Sequence, residues 1–402
     1  MNVKKVSQAK LGMVSPVKTL AAAILLATTA NTVSADILIG ETDSTKLSMY
    51  GILDIGALYQ DNVSTNGSEK LGIETSGLRQ TVIGFKGSRG LDNDMEAFFN
   101  LEAHFDLDTG MFHGTGDTTT ADADDGSGDI LFRRQANLGL TGDWGTVIAG
   151  RQYGPALLAH LATEPRIFKE QFSNLYAWAY SQYFSTINNT GSGGRNANND
   201  VGIFFKNAIQ YRNNINGLDF GVLYSFGGQE GSQKDGDVIA IGAAYTTGPL
   251  ALSGSYQNMH DQQTGEDVVT SWATGAAYNL GDLTFKINYM NTENNDQNGN
   301  EILDLDALGM GVDWKWAAKH TATVAYYINE DNAPTTSAET KSLVLSNEYT
   351  MGDSTILYAQ MAYVDSDAGM STISQYATSI VATPAPVGEK TTLVNIGVNF
   401  AF

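Results

Sequence analysis

The 402-residue chain contains no cysteine, which excludes a disulfide scaffold and any thiolate metal site. Positive charge is scarce. Lysine and arginine number 23 against 44 aspartates and glutamates, for a net charge of −21. Such an acidic chain argues against nucleic acid as a partner, because phosphate binding wants a basic surface. Past the N-terminal region no continuous apolar run reaches the ~18 residues of a membrane-spanning helix, so a helical membrane protein is excluded. Proline is thin, at seven residues, and no Pro-rich or Ser-rich linker divides the chain. His104, His113, His160, His260 and His320 are scattered, with no metal-ligand spacing and no His-Glu-x-x-His pattern. No catalytic residue, metal or cofactor is expected, and an enzyme finds little support.

What the chain does carry begins with an export signal. Lys4, Lys5, Lys10 and Lys18 accompany an apolar run over 20–27, followed by Val33-Ser34-Ala35 with small residues before a cleavage point. A signal peptide over 1–35 is expected, cut between Ala35 and Asp36. The apolar run is too short for a membrane anchor of about 20 residues. Cleavage removes four lysines and no acid, which takes the net charge from −21 to −25.

The rest, 36–402, reads as one β domain. With 43 glycines the composition leans toward strands and turns. Period-two alternation recurs throughout. Leu47, Met49, Gly51, Leu53, Ile55 and Ala57 share one face of the first strand; Val394, Ile396, Val398, Phe400 and Phe402 share one face of the last. Sixteen strands are predicted, near 47–60, 78–88, 94–108, 130–142, 144–152, 201–213, 217–227, 237–247, 249–259, 268–279, 282–292, 304–316, 319–329, 340–350, 354–365 and 391–402. Short connections with turn chemistry, such as Gly142-Asp143-Trp144-Gly145 and Asn214-Ile215-Asn216-Gly217, alternate with long polar ones, among them 61–77, 109–129, 153–200 and 366–390. Long and short ends therefore sort to opposite sides of an up-and-down sheet. The fold class that follows is all-β, a 16-stranded antiparallel transmembrane β-barrel. A sandwich would need repeated domains and a propeller blade repeats, and neither is present. Both termini should lie at the short-turn, periplasmic end. The long segment 153–200 exceeds ordinary loop lengths and is expected to fold inward and narrow the lumen.

Particular residues also carry a family resemblance. Arg134-Gln135-Ala136-Asn137-Leu138-Gly139-Leu140, the turn Gly142-Asp143-Trp144-Gly145 and the following strand ending Gly150-Arg151-Gln152-Tyr153 resemble the trimeric general porins of Gram-negative outer membranes. So do Met49-Tyr50-Gly51, Gly84-Phe85-Lys86-Gly87, Tyr211-Arg212-Asn213 and the terminal Phe402. The resemblance implies a homotrimer set in outer-membrane lipid and lipopolysaccharide. It implies a water-filled channel for passive diffusion of ions and small hydrophilic solutes, with Phe402 as the assembly signal.

The family's third loop holds acids opposite wall basic residues, and the resemblance places that loop at 153–200. Glu164, thirteen residues beyond Arg151, and Glu170 are then the loop acids. The family's Pro-Glu-Phe-Gly-Gly motif is replaced by Glu164-Pro165-Arg166-Ile167-Phe168. Ile52, Val82 and Phe204 stand where the family carries positive charge. Arg133 or Arg134, Arg151 and Lys206 remain as wall cations; resemblance favours Arg134, and apolar alternation through Phe132, Leu138 and Leu140 favours Arg133. Asp54 should face the lumen. The expectation is a cation-preferring pore.

The loop aromatics Phe168, Tyr176, Trp178 and Tyr180 have two readings: anchors of the loop on the wall, or a stacking surface for sugar rings in an oligosaccharide-selective channel. A remoter alternative is a closed barrel serving as adhesin or scaffold. The acidic stretches 122–129 and 293–301 read as solvated loop charge. The second resembles a calcium loop at Asn294, Asp296, Asn298 and Gly299, but Leu305 occupies the bidentate position, so the match fails.

Overall fold

A computed structural model of the chain describes residues 36–42, 44–63, 67–112, 131–179, 181, 196–333, 338–366 and 390–402. The expected signal peptide, the 122–129 stretch and Tyr180 lie outside the described residues. The alternating segments form strands because a pleated chain sends successive side chains to opposite faces. In chain order these are β1 (Ile37–Glu41), β2 (Thr45–Val63), β3 (Ser68–Thr75), β4 (Val82–Gly90), β5 (Glu96–His104), β6 (Gln135–Gly142) and β7 (Gly145–Tyr153). The short helix α1 (Pro155–Ala159) and the fragment β8 (Asn199–Asp200) follow. Then come β9 (Phe204–Ile215), β10 (Leu218–Ser225), β11 (Val238–Thr247), β12 (Leu250–His260), β13 (Asp267–Leu280) and β14 (Leu283–Asn295). The series ends with β15 (Glu301–Ala317), β16 (His320–Asp331), β17 (Ala338–Met351), β18 (Thr355–Ser366) and β19 (Lys390–Ala401).

Every neighbouring pair is antiparallel, and β19 returns to β2 from Leu393↔Gln60 to Ala401↔Ile52, which closes the sheet into a barrel of 16 wall strands. Three of the segments are not separate staves. β3 and β4 lie end to end along the same edge of β2, β1 continues the line of β19 along the other edge, and β8 is a two-residue appendage of β9. Closure leaves no sheet edge in lipid, where an unpaired backbone group would find no water. Outward positions are apolar, as at Leu252, Trp272, Phe285, Ile287, Leu345 and Leu357. Inward ones are polar, as at Gln257, Ser271, Asn288, Thr292 and Asn395. The turn between β9 and β10 has both central residues at positive φ, Asn216 at 52° and Gly217 at 87°, the twist that a two-residue hairpin requires.

One connection differs from expectation. Much of 61–77 is strand β3, paired as Tyr59↔Leu71 and Ala57↔Ile73. Only Leu71 and Ile73 show lipid-facing character there, diluted by Glu69, Lys70 and Glu74, so the alternation is too short to read. The true interruption is the bend 76–81. Asp54, expected to face lumen water, is fully buried and holds this bend. Its carboxylate accepts the N–H groups of Gly77 at 2.8 Å, Leu78 at 3.0 Å and Arg79 at 3.1 Å. It also accepts Tyr358 Oη–H at 2.8 Å and Asn399 Nδ2–H at 2.9 Å.

The long segment after β7 enters the barrel and lies in a groove cut by small residues. Gly221↔Gly242 on β10 and β11 and Gly242↔Ser255 on β12 begin a band across the inner wall that steps from Ser255 to Ser253 and continues as Ser253↔Gly275 on β13, Gly275↔Asn288 on β14 and Asn288↔Gly309 on β15. A Cβ at Gly221 would stand 2.8 Å from Pro155 Cβ, and one at Gly311 would stand 2.7 Å from Pro165 Cβ. At Gly242 it would strike the Pro155 carbonyl, and at Gly275 the Thr163 hydroxyl.

Replacing Asp54 with alanine leaves three backbone N–H groups buried without an acceptor, at about 1–3 kcal/mol each. The variant should lose heat resistance by well over 10 °C, read as the temperature at which the folded band disappears from an unheated-versus-heated gel. Wild-type heat resistance would show that the bend is held by other means.

Candidate pore constriction

The inward segment is fastened at both flanks and in its middle. At the α1 end, His160 Nδ1 lies 2.7 Å from Ser253 Oγ and 3.1 Å from Asn288 Nδ2, while Nε2 lies 2.8 Å from Ser255 Oγ. Because Asn288 Nδ2 can only donate, Nδ1 accepts and Nε2–H donates to Ser255. Burial lowers the His160 pKa to about 4, so the ring is neutral near pH 7 and the bonding pattern is stable there.

In the middle, Glu164 is fully buried. It accepts the N–H groups of Arg166 at 2.7 Å, Phe168 at 2.7 Å and Asn174 at 3.3 Å, and Tyr327 Oη–H at 2.9 Å from β16. It ties the turn to itself and to the wall instead of presenting charge to water, contrary to its expected role. Arg166 reaches the same wall, donating to Ser346 Oγ at 3.0 Å and Gln360 Oε1 at 2.5 Å. The tip then meets the opposite bend: Glu170 N–H donates to Leu78 O at 3.1 Å and Gln171 N–H to Gly77 O at 3.3 Å. The crossing therefore rests on the peptide units that Asp54 holds.

The aromatics form the packed core of this segment. Trp178 is 1 % exposed and donates Nε1–H to Gly202 O at 3.0 Å; Tyr176 donates to Glu170 Oε2 at 2.8 Å; Phe168 meets Trp178 edge-on at 6.3 Å. They pack with Phe204, Leu303 and Leu305 of the wall. Buried faces cannot stack on a sugar, so the anchoring reading fits these three residues and the stacking one does not.

A cavity of about 220 Å³ remains beside the crossing segment. Its charged lining is basic at Arg79, Lys86, Arg134, Arg166 and Lys169, and acidic at Glu102, Glu170, Asp313 and Glu348. Arg134 Nε donates to Glu102 Oε1 at 2.5 Å, and Glu102 Oε2 accepts Tyr50 Oη–H at 2.7 Å. Lys169 pairs with Glu348. Lys286 bonds Asp313 at 2.8 Å and Pro165 O at 3.3 Å. Ile52, Val82 and Phe204 also line the cavity.

Of the expected wall cations, Arg134 is at the cavity. Arg133 turns away, with Nε and Nη2 on Asp200 at 3.1 and 2.9 Å, and Arg151 joins the same carboxylate. The apolar alternation that favoured Arg133 does not reach it, because β6 begins only at Gln135. Lys206 is displaced by a bulge: the register shifts between Gly150 and Gln152 opposite it, and Asn207 has φ of 52°. That breaks the parity linking Lys206 to Phe204. Arg79, Lys86, Lys169, Glu102, Asp313 and Glu348 were missed. Asp313 was legible, since Leu308, Met310, Val312 and Trp314 face outward and leave 309, 311 and 313 inside. In the 293–301 stretch, Asp296 accepts Asn298 N–H at 2.9 Å and Asn300 N–H at 2.8 Å, as a turn carboxylate does.

A family model described as Gram-negative porin matches residues 21–369. The chain is 28 % identical over 308 residues to an outer membrane porin protein of Bordetella pertussis, covering 68 % of this chain and 69 % of that one. It is 24 % identical over 372 residues to an outer membrane porin protein of Delftia acidovorans, covering 89 % and 94 %. Among solved structures, an anion-selective porin from Comamonas acidovorans superposes with a TM-score of 0.72 at 21 % identity, covering 89 % of this chain and 100 % of that one.

Because Glu164 is a tie and not an eyelet charge, Glu164→Gln should raise open-channel current noise and conductance while moving the reversal potential in a salt gradient little. A large shift in ion preference with unchanged noise would return Glu164 to the water-facing role.

Proposed function

The chain belongs to the Gram-negative porin family, whose members are outer-membrane channels and not enzymes, and on that premise we propose a homotrimeric diffusion pore for ions and small hydrophilic solutes whose constriction leans toward anions. The observation that carries the ion preference is the cavity lining, where Arg79, Lys86, Arg134 and Lys169 remain while Asp54 and Glu164 are withdrawn from it; Arg166 is buried against the wall and is not counted among them. The cation preference expected from the sequence rested on Asp54, Glu164 and Glu170; the carboxylates of Asp54 and Glu164 are taken up by buried N–H groups, and Glu170 lines the cavity while accepting Tyr176 Oη–H. The missing charge at Ile52, Val82 and Phe204 is offset by Arg79, Lys86 and Lys169. The anion-selective porin from Comamonas acidovorans, similar in fold, agrees in sign with this reading.

The acidic surface loops act separately. With a Debye length of about 8 Å at physiological salt, they enrich cations at the mouth in dilute solution and lose that influence in concentrated salt. Trimeric assembly draws support from a related fold, the outer-membrane OmpT of Vibrio cholerae, which is described in a trimer form. Phe402 stands at the barrel seam, exchanging backbone bonds with Gly51 at 2.8 and 3.0 Å, where an assembly signal would act on closure.

Reversal potentials across a potassium chloride gradient test the reading. Chloride should be favoured at molar salt, with the ratio drifting toward potassium on dilution. Lys169→Gln and Arg79→Gln should each move the ratio toward potassium by several-fold, as expected for about 1 kcal/mol per charge at close range in water. Potassium preference at molar salt in the wild type would overturn the anion-leaning constriction.

A further inference from the structure

The constriction is not polar on all sides, although water and hydrated ions gain nothing from apolar walls. Ile52 on β2 stands directly across the ladder from Val82 on β4, and both line the cavity. Phe204 on β9 packs on Tyr153 with ring centroids 4.5 Å apart. From the crossing segment come Leu158 and Leu161, half-buried and lining the same space. This apolar surface is contributed by both the wall and the segment that crosses it, so it belongs to the cavity between the two.

The basic groups are interleaved with that surface. The Arg134 guanidinium carbon lies 5.3 Å from the Phe204 ring centroid and 5.4 Å from that of Tyr153. Lys86 Nζ lies 5.3 Å from the Tyr50 ring. A cation on an aromatic face keeps its N–H donors directed outward from the ring while an apolar surface continues beside it. Glu102 and Tyr153 take two of the five N–H donors of Arg134, which leaves donors for a second anion. The volume, about 220 Å³, falls below that of a site for a drug-sized molecule.

We propose that the passage favours small amphipathic organic anions, monocarboxylates with a short aliphatic or aromatic tail, over inorganic anions of equal charge. The carboxylate is handed among Arg134, Lys169 and Arg79 while the tail crosses the half-buried Ile52, Leu158 and Leu161. Contacts of this kind must stay weak for the solute to leave again. The proposal rests on the anion-leaning reading above and deepens it by naming a substrate class.

The test uses the full-length protein in planar bilayers, with acetate, butyrate, hexanoate and benzoate added at equal concentration, and butylammonium and benzyl alcohol as controls. Brief current blocks or bound-state noise should appear for benzoate and hexanoate at about tenfold lower concentration than for acetate, as burial of a few added carbons implies. The controls should be much weaker. In Ile52→Ser and Leu158→Ser, one on the wall and one on the crossing segment, the ratio of benzoate to acetate response should fall several-fold; Lys169→Gln should weaken all four carboxylates together. Equal responses to acetate and benzoate, or benzyl alcohol acting as strongly as benzoate, would overturn the inference and leave the chloride preference standing. Potassium preference in plain potassium chloride would instead remove the reading beneath it, and butylammonium would then be the stronger ligand.

Discussion

Two buried carboxylates carry the narrowing of this channel, and they do it in the same way. Asp54 accepts three consecutive backbone N–H groups and the hydroxyl of Tyr358; Glu164 accepts three backbone N–H groups and the hydroxyl of Tyr327. A chain that leaves the wall and crosses a lumen gives up its ladder partners, and each abandoned N–H must find another acceptor. A carboxylate does this in little space because its two oxygens offer about four acceptor sites at fixed geometry. One carboxylate shapes the wall bend, the other shapes the crossing turn, and the two structures meet where Gly77 O and Leu78 O receive Gln171 and Glu170.

Ion preference then depends on which charges are left over. The whole chain is strongly acidic, at −21, yet around the cavity Arg79, Lys86, Arg134 and Lys169 equal the four acids in number. Total charge describes loops and solubility; the field in a narrow passage belongs to the few side chains that water there can touch. Acids that close turns contribute to architecture and little to selection.

The barrel was legible because a two-residue period survives in nearly every stave: expected and observed bounds for the strands at β11, β12 and β13 agree within one residue. It failed where the period is short, at β3, and where parity is broken, at the bend before β6 and the bulge in β9. That the segment after β7 turns inward, as its described residues 154–179 do, was legible from its length. The roles of Asp54 and Glu164 were not, since a carboxylate on an inward face can meet water or backbone, and sequence does not say which. Trp178 and Tyr176 posed the same ambiguity for aromatic rings. The lining cations Arg79 and Lys169 were hidden for a different reason, because each lies in irregular backbone where no period applies.

The band of glycines from β10 to β15 makes the bore of this channel a property of its wall. The crossing segment takes the path it does because Gly221, Gly242, Gly275 and Gly309 leave a furrow where an added Cβ would meet Pro155, Thr163 or Pro165. The segment's own sequence supplies the fastenings, and the furrow supplies the route. Mutation can therefore alter the bore in two independent ways. Changes in the segment retune what touches a passing solute while the route persists. A single methyl group in the furrow reroutes everything at once, so drift in permeability should accumulate gradually through the segment and abruptly through the wall.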